Sequence, residues 1–226
     1  MSHATPIVFV VDDDKSVRES LELLIESEGW RPELFASARD FLSRPHVPGP
    51  SCLVLDVSLP DLNGLDLQKQ VAADRADMPI IFITGYGDVA TTVQAMKAGA
   101  VEFLTKPFSD HVLIDAIRQA INRSQDALGH EAELRTLRDR YASLSGRERE
   151  VMALVARGLM NKQVAGELCI SEITVKAHRG RMMGKMRAGS LAELVTMNAR
   201  LRQRWPTDAE ARAIPTSNGF PSALLA

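Results

Sequence analysis

The stretch Cys52-Leu53-Val54-Leu55-Asp56 places a carboxylate directly after an apolar run of strand length. Open α/β sheets bind their ligands outside the carboxyl ends of their strands. A charged side chain that follows a buried strand therefore lies where such folds carry out their chemistry. This placement makes Asp56 the first candidate functional residue of the chain.

Three further apolar runs also end in polar side chains. The runs are residues 7–11, 79–83 and 101–105, and they lead into Asp12-Asp13-Asp14, Thr84-Gly85 and Lys106-Pro107 respectively. If the strands are parallel neighbours, the acids, the threonine and the lysine meet at one edge of the sheet. Converging carboxylates repel one another, so this site needs a cation. Oxygen ligands beside an anion suit Mg²⁺.

Strand-like and helical patterns alternate through residues 1–124. Asp14 precedes the first helix and is interpreted as its cap. Val89, Val93 and Met96 form the apolar stripe of the fourth helix. Five strand–helix units of this length predict an α/β domain with a five-stranded, parallel, doubly wound sheet of the flavodoxin-like kind.

Residues 125–143 are mostly polar and are interpreted as a helical linker. A narrow apolar stripe at helical spacing is formed by Leu134, Leu137, Tyr141 and Leu144. The stripe is also a candidate for self-association. A flexible tether is the alternative, favoured locally by Gly129.

Residues 144–205 predict a small all-α domain of four short helices. Ser145 and Glu148 have the spacing of a capping box at the start of the first helix. The junction at residues 168–171 is as tight as a helix-turn-helix requires. The last residues, 206–226, show no hydrophobic periodicity and are predicted to be disordered.

The composition, with 45% hydrophobic and 25% charged residues, is typical of a folded globular protein. No apolar run is long enough to span a bilayer, and the amino terminus lacks the pattern of a signal peptide. We therefore expect a cytoplasmic protein that does not contact membranes. Cys52 and Cys169 lie far apart without any CxxC pair, so both are expected to be reduced packing residues.

Charge is distributed unevenly along the chain. Residues 1–124 carry 18 acidic and 11 basic residues, a net charge of −7, whereas residues 125–226 carry 11 acidic and 16 basic residues, a net charge of +5. The basic half is a candidate for binding nucleic acid. Ordinary variation in surface charge is the alternative.

Two sets of motifs resemble known families. Residues 6–122 resemble the receiver domain of two-component response regulators, through Asp12-Asp13, Asp56, Pro60-Asp61-Leu62-Asn63-Gly64, Thr84-Gly85 and Lys106-Pro107. Residues 144–203 resemble the LuxR-type helix-turn-helix, through residues 144–151, Gly158, Asn161-Lys162, residues 170–179 and Lys185-Met186. Together the halves are similar to the NarL/FixJ family of transcription factors, and within it to FixJ-like and StyR-like regulators.

The resemblance implies that Asp56 accepts a phosphoryl group from a cognate sensor histidine kinase. Mg²⁺ is assigned to four positions, Asp12, Asp13, Asp56 and the backbone carbonyl of Ser58. Lys106 and Thr84 are implied to contact the transferred oxygens. Lys106-Pro107 resembles the cis bond of the family, although Lys106 by itself reads as a surface lysine.

The resemblance also implies a conformational switch that leads to a homodimer. The Thr84 hydroxyl is expected to bond a phosphoryl oxygen and to move inward, and Phe103 is expected to turn inward with it. A plain core role is the alternative for Phe103. Tyr86 is expected to screen the phosphoryl group from water.

In the basic half, the resemblance makes residues 172–187 the recognition helix, placed in a major groove of double-stranded promoter DNA. Base-facing positions are Lys176, Ala177 and Arg179. Positions that contact the DNA backbone are Asn161, Lys162, Thr174 and His178, and Lys185 is a further exposed cation of the helix. Gly180 and Gly184 are unusual inside a helix, and Gly180 lacks a side chain that some relatives direct at bases. RNA polymerase is an expected partner.

Two other classes of protein remain open at this stage. One is a signalling module whose output is binding to a protein. The other is an enzyme of the haloacid-dehalogenase type, which also uses a strand-end aspartate as its nucleophile. That class usually carries a second aspartate two residues after the nucleophile, where this chain has Ser58. A regulator without enzymatic turnover is therefore the preferred interpretation.

Overall fold

Five parallel strands form one sheet in the order β2-β1-β3-β4-β5. The strands are β1 (Ile7–Val11), β2 (Arg31–Phe35), β3 (Ser51–Asp56), β4 (Ile80–Thr84) and β5 (Glu102–Thr105). The helices between and after them are α1 (Lys15–Ser27), α2 (Ala38–Ser43), α3 (Gly64–Asp74), α4 (Val89–Lys97) and α5 (Asp110–Ala142). The predicted doubly wound α/β fold is therefore confirmed.

The computed structural model describes residues 5–75, 77–85 and 87–204, without the side chains of Gln203 and Arg204. The chain divides into two compact units, residues 1–131 and 132–226. This division falls inside the segment that was interpreted as a linker. Two predictions, the screening by Tyr86 and the disorder of residues 206–226, concern residues outside the described part of the chain.

Both faces of the sheet are buried. Alternate residues of β1 belong to different core clusters, with Phe9 and Val11 on one face and Val8 and Val10 on the other, because successive side chains of a strand point in opposite directions. All six residues of β3 are buried. Such continuous burial explains why the strands read as uninterrupted apolar runs in the sequence.

The strand order reverses direction between β1 and β3, which opens a crevice at their carboxyl ends. The register pairs Val11 with Leu55. Consequently Asp12 and Asp56, the next residues along the two strands, reach the crevice side by side.

The apolar stripe of α4 is exposed and does not pack against the core. Val89, Val93 and Met96 are 81%, 45% and 41% exposed, whereas Ala95 is fully buried. At about 100° per residue the three large side chains lie on a different side of the helix from Ala95. A helical period therefore identified an apolar face correctly but did not determine which face packs against the sheet.

A glycine at the start of α3 allows the helix to approach the backbone of the strand end that carries Asp56. A Cβ atom on Gly64 would lie 2.6 Å from the Asp56 carbonyl oxygen and 2.9 Å from Val57 Cα. The Gly64 backbone N–H donates to the Val57 carbonyl at 3.0 Å. Only a residue without a side chain fits this contact without moving the backbone.

The described residues of the second unit form the end of α5 and four further helices. These are α6 (Gly146–Ala156), α7 (Asn161–Leu168), α8 (Glu172–Met186) and α9 (Leu191–Arg204). Ser145 and Glu148 form the predicted capping box. Cys169, in the left-handed conformation with φ 52°, makes the tight turn between α7 and α8. No helix in the described ranges is long and apolar enough to cross a membrane.

The predicted linker segment is helical, because α5 continues to Ala142 with Gly129 inside it. Leu137 and Leu144 are buried in the core of the second unit, and Tyr141 packs against that core. These stripe residues are therefore covered by helices of their own unit, which argues against the proposed role in self-association.

Replacing Gly64 by alanine is expected to destabilise the first unit by roughly 1–3 kcal/mol, because the added methyl group forces the backbone at Asp56 to move. Chemical denaturation of the full-length protein measures this change. Gly129→Ala is the matched control, because open space surrounds Gly129 in a helix and alanine should stabilise it by up to about 1 kcal/mol. Wild-type stability of Gly64→Ala would contradict the steric explanation.

Candidate acidic pocket and candidate nucleic-acid interface

Lys106 bridges two carboxylates at the carboxyl edge of the sheet. Its Nζ atom donates to Asp12 Oδ2 at 2.6 Å and to Asp56 Oδ2 at 2.7 Å. The three residues follow or end β1, β3 and β5, so the sheet brings together groups that are far apart in sequence. The convergence expected from the sequence is therefore present, and the Lys106-Pro107 bond is cis as the resemblance implied.

Burial governs the electrostatics of this pocket. Burial raises the pKa of Asp12 above its ordinary value, against the opposing hydrogen bonds from Lys106 and the Asp14 backbone. Burial alone would lower the pKa of Lys106, but its hydrogen bonds to Asp12 and Asp56 outweigh this effect and leave the pKa raised. Lys106 therefore remains protonated at neutral pH and offsets part of the negative charge.

Asp13 adds a third carboxylate, and it is exposed to solvent. One oxygen from each of Asp12, Asp13 and Asp56 lies within 4.8 Å of the others. Three carboxylates and one ammonium leave a formal charge of −2 in the pocket. This oxygen-rich, doubly negative arrangement has the chemistry of a divalent-cation site.

The neighbouring backbone fixes the orientation of these carboxylates. Asp56 Oδ1 accepts a hydrogen bond from the Ser58 backbone N–H at 2.8 Å, and Asp12 Oδ1 accepts one from Asp14 at 2.9 Å. Asp14 itself accepts from the Ser16 backbone N–H at 2.8 Å. The interpretation of Asp14 as a helix cap is therefore confirmed.

The two predicted switch residues lie next to the pocket strands. Thr84 ends β4 and is fully buried, and its carbonyl accepts from the Lys106 backbone N–H at 2.7 Å. Phe103 is partly buried, with its ring centroid 5.9 Å from that of Phe82. Thr84 and Phe103 therefore lie on the two neighbouring strands β4 and β5.

Sequence reasoning missed two residues near this pocket. Arg18 Nη1 donates to the Asp12 carbonyl at 2.7 Å and ties α1 to the end of β1. A Cβ atom on Gly87 would lie 2.6 Å from Thr105 Cγ2 and close to Phe103 and Thr84. Neither residue carries a recognisable signal, because Arg18 bonds a backbone carbonyl and the neighbours of Gly87 in β5 approach it only in the fold.

The predicted nucleic-acid residues lie on two successive helices of the second unit. α7 carries Asn161 and Lys162, and α8 carries Thr174, Lys176, Ala177, His178, Arg179 and Lys185. Lys162 and Lys176 are exposed, and no acidic side chain in the described part of the chain is within ion-pair distance of either. Both charges are therefore available to an external anion.

Other polar side chains on these helices bond to one another. Arg179 Nη1 donates to Asn161 Oδ1 at 3.0 Å, which joins α8 to the start of α7. His178 Nδ1 lies 3.2 Å from Arg181 Nη2. The second pair lies within α8, so only the bond between Arg179 and Asn161 connects the two helices among these contacts.

Lys185 differs from the other predicted DNA contacts because it already has strong partners within the unit. Its Nζ atom donates to Glu148 Oε2 at 2.7 Å and to the Ser143 carbonyl at 3.1 Å. Glu148 is buried and also accepts from the Ser145 backbone N–H at 2.8 Å. The bond from Lys185, followed by that from Ser145, lowers the pKa of Glu148 to about 2.

Comparisons with known proteins match both units. The family model for the response regulator receiver domain matches residues 8–118, and the model for bacterial regulatory proteins of the luxR family matches residues 142–198. Nodulation protein W of Bradyrhizobium diazoefficiens is 51% identical over 195 residues, which cover 86% of each chain. The transcriptional regulatory protein FixJ of that organism is 44% identical, over 85% of this chain and 94% of FixJ.

A solved structure supports the same relationship. The low-resolution structure of the response regulator StyR is 47% identical to this chain, covers 87% of it and 100% of its own length, and superposes with a TM-score of 0.78. A receiver domain followed by a LuxR-type domain defines the class of transcriptional response regulators.

The chain belongs to the NarL/FixJ type of that class, as the sequence predicted. Such proteins couple phosphorylation of a receiver to transcription and are not enzymes. The haloacid-dehalogenase alternative is therefore wrong.

The capping box predicts a pH dependence of stability. The folded-state pKa of Glu148, about 2, lies below its ordinary value of 4.5. Its stabilising contribution is therefore fully present above the unfolded pKa and is lost as the pH falls from about 4.5 towards 2. Glu148→Gln should lower the free energy of unfolding at pH 7 by roughly 1–3 kcal/mol, and this difference should disappear at low pH.

Denaturation of full-length protein at several pH values measures the difference between Glu148→Gln and wild type. Glu150→Gln is the matched control, because Glu150 is exposed and, among the residues that the structure describes, forms its ion pair with Arg147 of the same helix. Its effect should stay below about 1 kcal/mol. Equal losses for the two variants, or a difference that persists at the lowest pH, would contradict the buried ion pair.

Proposed function

We propose that this regulator accepts a phosphoryl group on Asp56 from a sensor histidine kinase, that the modified receiver forms a homodimer, and that the paired second units bind promoter DNA in the cytoplasm. The observation that carries the proposal is the bridging of Asp12 and Asp56 by Lys106, at 2.6 and 2.7 Å. A nucleophile, a second acid and a cation meet there at one point.

Asp56 acts as the nucleophile. One carboxylate oxygen attacks the phosphorus atom of a phosphohistidine, the P–N bond breaks, and its electron pair returns to the imidazole nitrogen of the kinase. Ser58 and Lys106 hold the two Asp56 oxygens before the reaction. Lys106 and the Thr84 hydroxyl then stabilise the charge on the transferred oxygens.

Mg²⁺ is the cofactor that the donor set fits best. Asp12, Asp13 and Asp56 supply carboxylate oxygens, and the backbone carbonyl of Ser58 is the fourth proposed ligand. When bound, the ion neutralises negative charge on the phosphoryl oxygens. The exposure of Asp13 gives the ion a path from solvent, and the formal charge of −2 selects for a divalent cation.

Thr84 and Phe103 transmit the modification to the surface of α4. Thr84 ends β4, and Phe103 lies in β5 with its ring against Phe82. The α4 surface exposes Val89, Val93 and Met96. Grouped exposed apolar side chains mark an interaction site, so we assign the phosphorylation-dependent dimer contact to this surface.

α8 is the recognition helix in this proposal. Lys176, Ala177 and Arg179 face bases, whereas Asn161, Lys162, Thr174 and His178 contact the DNA backbone. Lys185 serves mainly to pair with Glu148, and any contact with DNA is secondary. RNA polymerase is the partner that a promoter-bound dimer would recruit.

Asp56→Asn should abolish phosphorylation, because an amide is a poor nucleophile and removes the charge beside Lys106. Incorporation of label from radioactive acetyl phosphate measures the reaction. The control is Asp66→Asn, which removes an exposed carboxylate bonded to Lys69 on α3. Phosphoryl incorporation into Asp56→Asn at the wild-type rate would show that the acceptor lies elsewhere.

Val93→Glu should prevent dimerisation while leaving phosphorylation intact, because it places a charge inside the proposed contact and changes none of the pocket residues. Light scattering of beryllofluoride-treated protein measures the mass. Leu23→Glu, at a 71% exposed position of α1, is the control and should dimerise normally. If Val93→Glu dimerises as strongly as wild type, α4 is not part of the dimer interface.

Lys176→Ala should weaken binding to operator DNA by about 1–3 kcal/mol and relax preference at one base position. Lys162→Ala should weaken binding to all sequences alike and lower the salt slope by about 1. Binding titrations of both variants with operator and random duplexes, at several salt concentrations, measure these effects. If Lys176→Ala loses the same affinity on operator and random duplexes, Lys176 contacts the phosphate backbone rather than a base.

A further inference from the structure

A large apolar side chain stands on the outer face of the recognition helix. Ile173, in the first turn of α8, is 80% exposed. The core face of the same helix is formed by Val175, Met182 and Met186, all fully buried. At about 100° per residue, Ile173 points almost directly away from that face. Packing inside the second unit therefore does not explain it.

The surroundings of Ile173 identify the kind of surface that covers it. Ala177 lies one turn later on the same face and is exposed. Beyond it, Gly180 and Gly184 present no side chain, and a Cβ atom at either position would meet open space. Lys176 beside this line is exposed and without an acidic partner among the described residues. An apolar centre with an unpaired cation at its edge suits a groove whose floor is apolar in places and whose rim is anionic.

DNA offers one apolar group in its major groove, the 5-methyl group of thymine. The amino-terminal residues of a recognition helix are those that reach base edges. Ile173 is the second residue of α8, directly after Ser171 and Glu172. Its exposed methyl groups would be removed from water by contact with thymine, whereas no other base presents an apolar group at that edge.

We propose that Ile173 is a specificity-determining residue that recognises the 5-methyl group of a thymine in the operator, with Ala177 lining the same contact. This inference rests on the proposed function, in which α8 enters the major groove of promoter DNA. It adds a base-reading contact that carries no charge and makes no hydrogen bond. The glycines that follow allow the helix to lie close enough for such short side chains to touch the base edges.

The test uses duplexes selected by the activated full-length protein from a randomised DNA pool. Each thymine is replaced in turn by deoxyuridine, which keeps every hydrogen-bonding group and lacks only the 5-methyl group. At one position per half-site, wild-type protein should lose about three- to fivefold in affinity, the ratio expected for one methyl group buried in a contact. Ile173→Ala should bind the duplex with deoxyuridine at that position as tightly as the duplex with thymine. At all other positions its response should match that of wild type.

Two further variants serve as controls for the effect of Ile173→Ala. Ile173→Val keeps a branched side chain and should keep most of the sensitivity. Leu23→Ala removes an exposed apolar side chain from the first unit and should give the wild-type profile. An Ile173→Ala profile identical to wild type overturns the inference and leaves the proposed function standing. Failure of wild-type protein to select any DNA overturns the proposed function as well.

Discussion

The bridge from Lys106 to Asp12 and Asp56 is the interaction on which the first unit depends. It joins the carboxyl ends of β1 and β3, where the crevice opens, to the end of β5. Each carboxylate would be unfavourable there alone, because buried negative charges repel and lose hydration. Strand order, the absence of a side chain at Gly64 and the hydrogen bond from Arg18 all keep these few atoms in place.

The second unit also contains a buried carboxylate bonded by a lysine, but no excess negative charge remains there. Glu148 is a buried carboxylate held by a lysine, but Ser145 completes its hydrogen bonds and the pair closes a capping box. Nothing in that arrangement leaves excess charge for a ligand. In the pocket, by contrast, one lysine faces three carboxylates. A bonded lysine and carboxylate therefore balance each other in the second unit, whereas the additional acids of the pocket leave it with a formal negative charge.

Much of this architecture follows from the sequence alone. Fully buried strands have an apolar residue at nearly every position, so β1, β3 and β4 are unambiguous, and the acids at the ends of β1 and β3 define the pocket. The sequence could not show that the apolar face of α4 points to solvent, because periodicity defines a face without its partner. Nor could it show that Lys185 bonds Glu148, since α6 and α8 meet only in the folded unit. Gly87 also acts through a long-range contact, with Thr105, whereas Arg18 bonds a backbone carbonyl that no side-chain pattern reveals.

Binding of Mg²⁺ to the resting protein tests most directly the claim that the pocket holds two negative charges in excess. Thermal unfolding of full-length protein should be followed over a series of Mg²⁺ concentrations. A ligand that binds only the folded state raises the melting temperature with concentration, so the transition of the first unit should shift upward in wild type. It should stay fixed in Asp13→Asn, which removes an exposed ligand without touching the Lys106 bridge. This account of the pocket would be contradicted if the melting temperature of wild type did not change with Mg²⁺ concentration, or if it rose equally in both proteins.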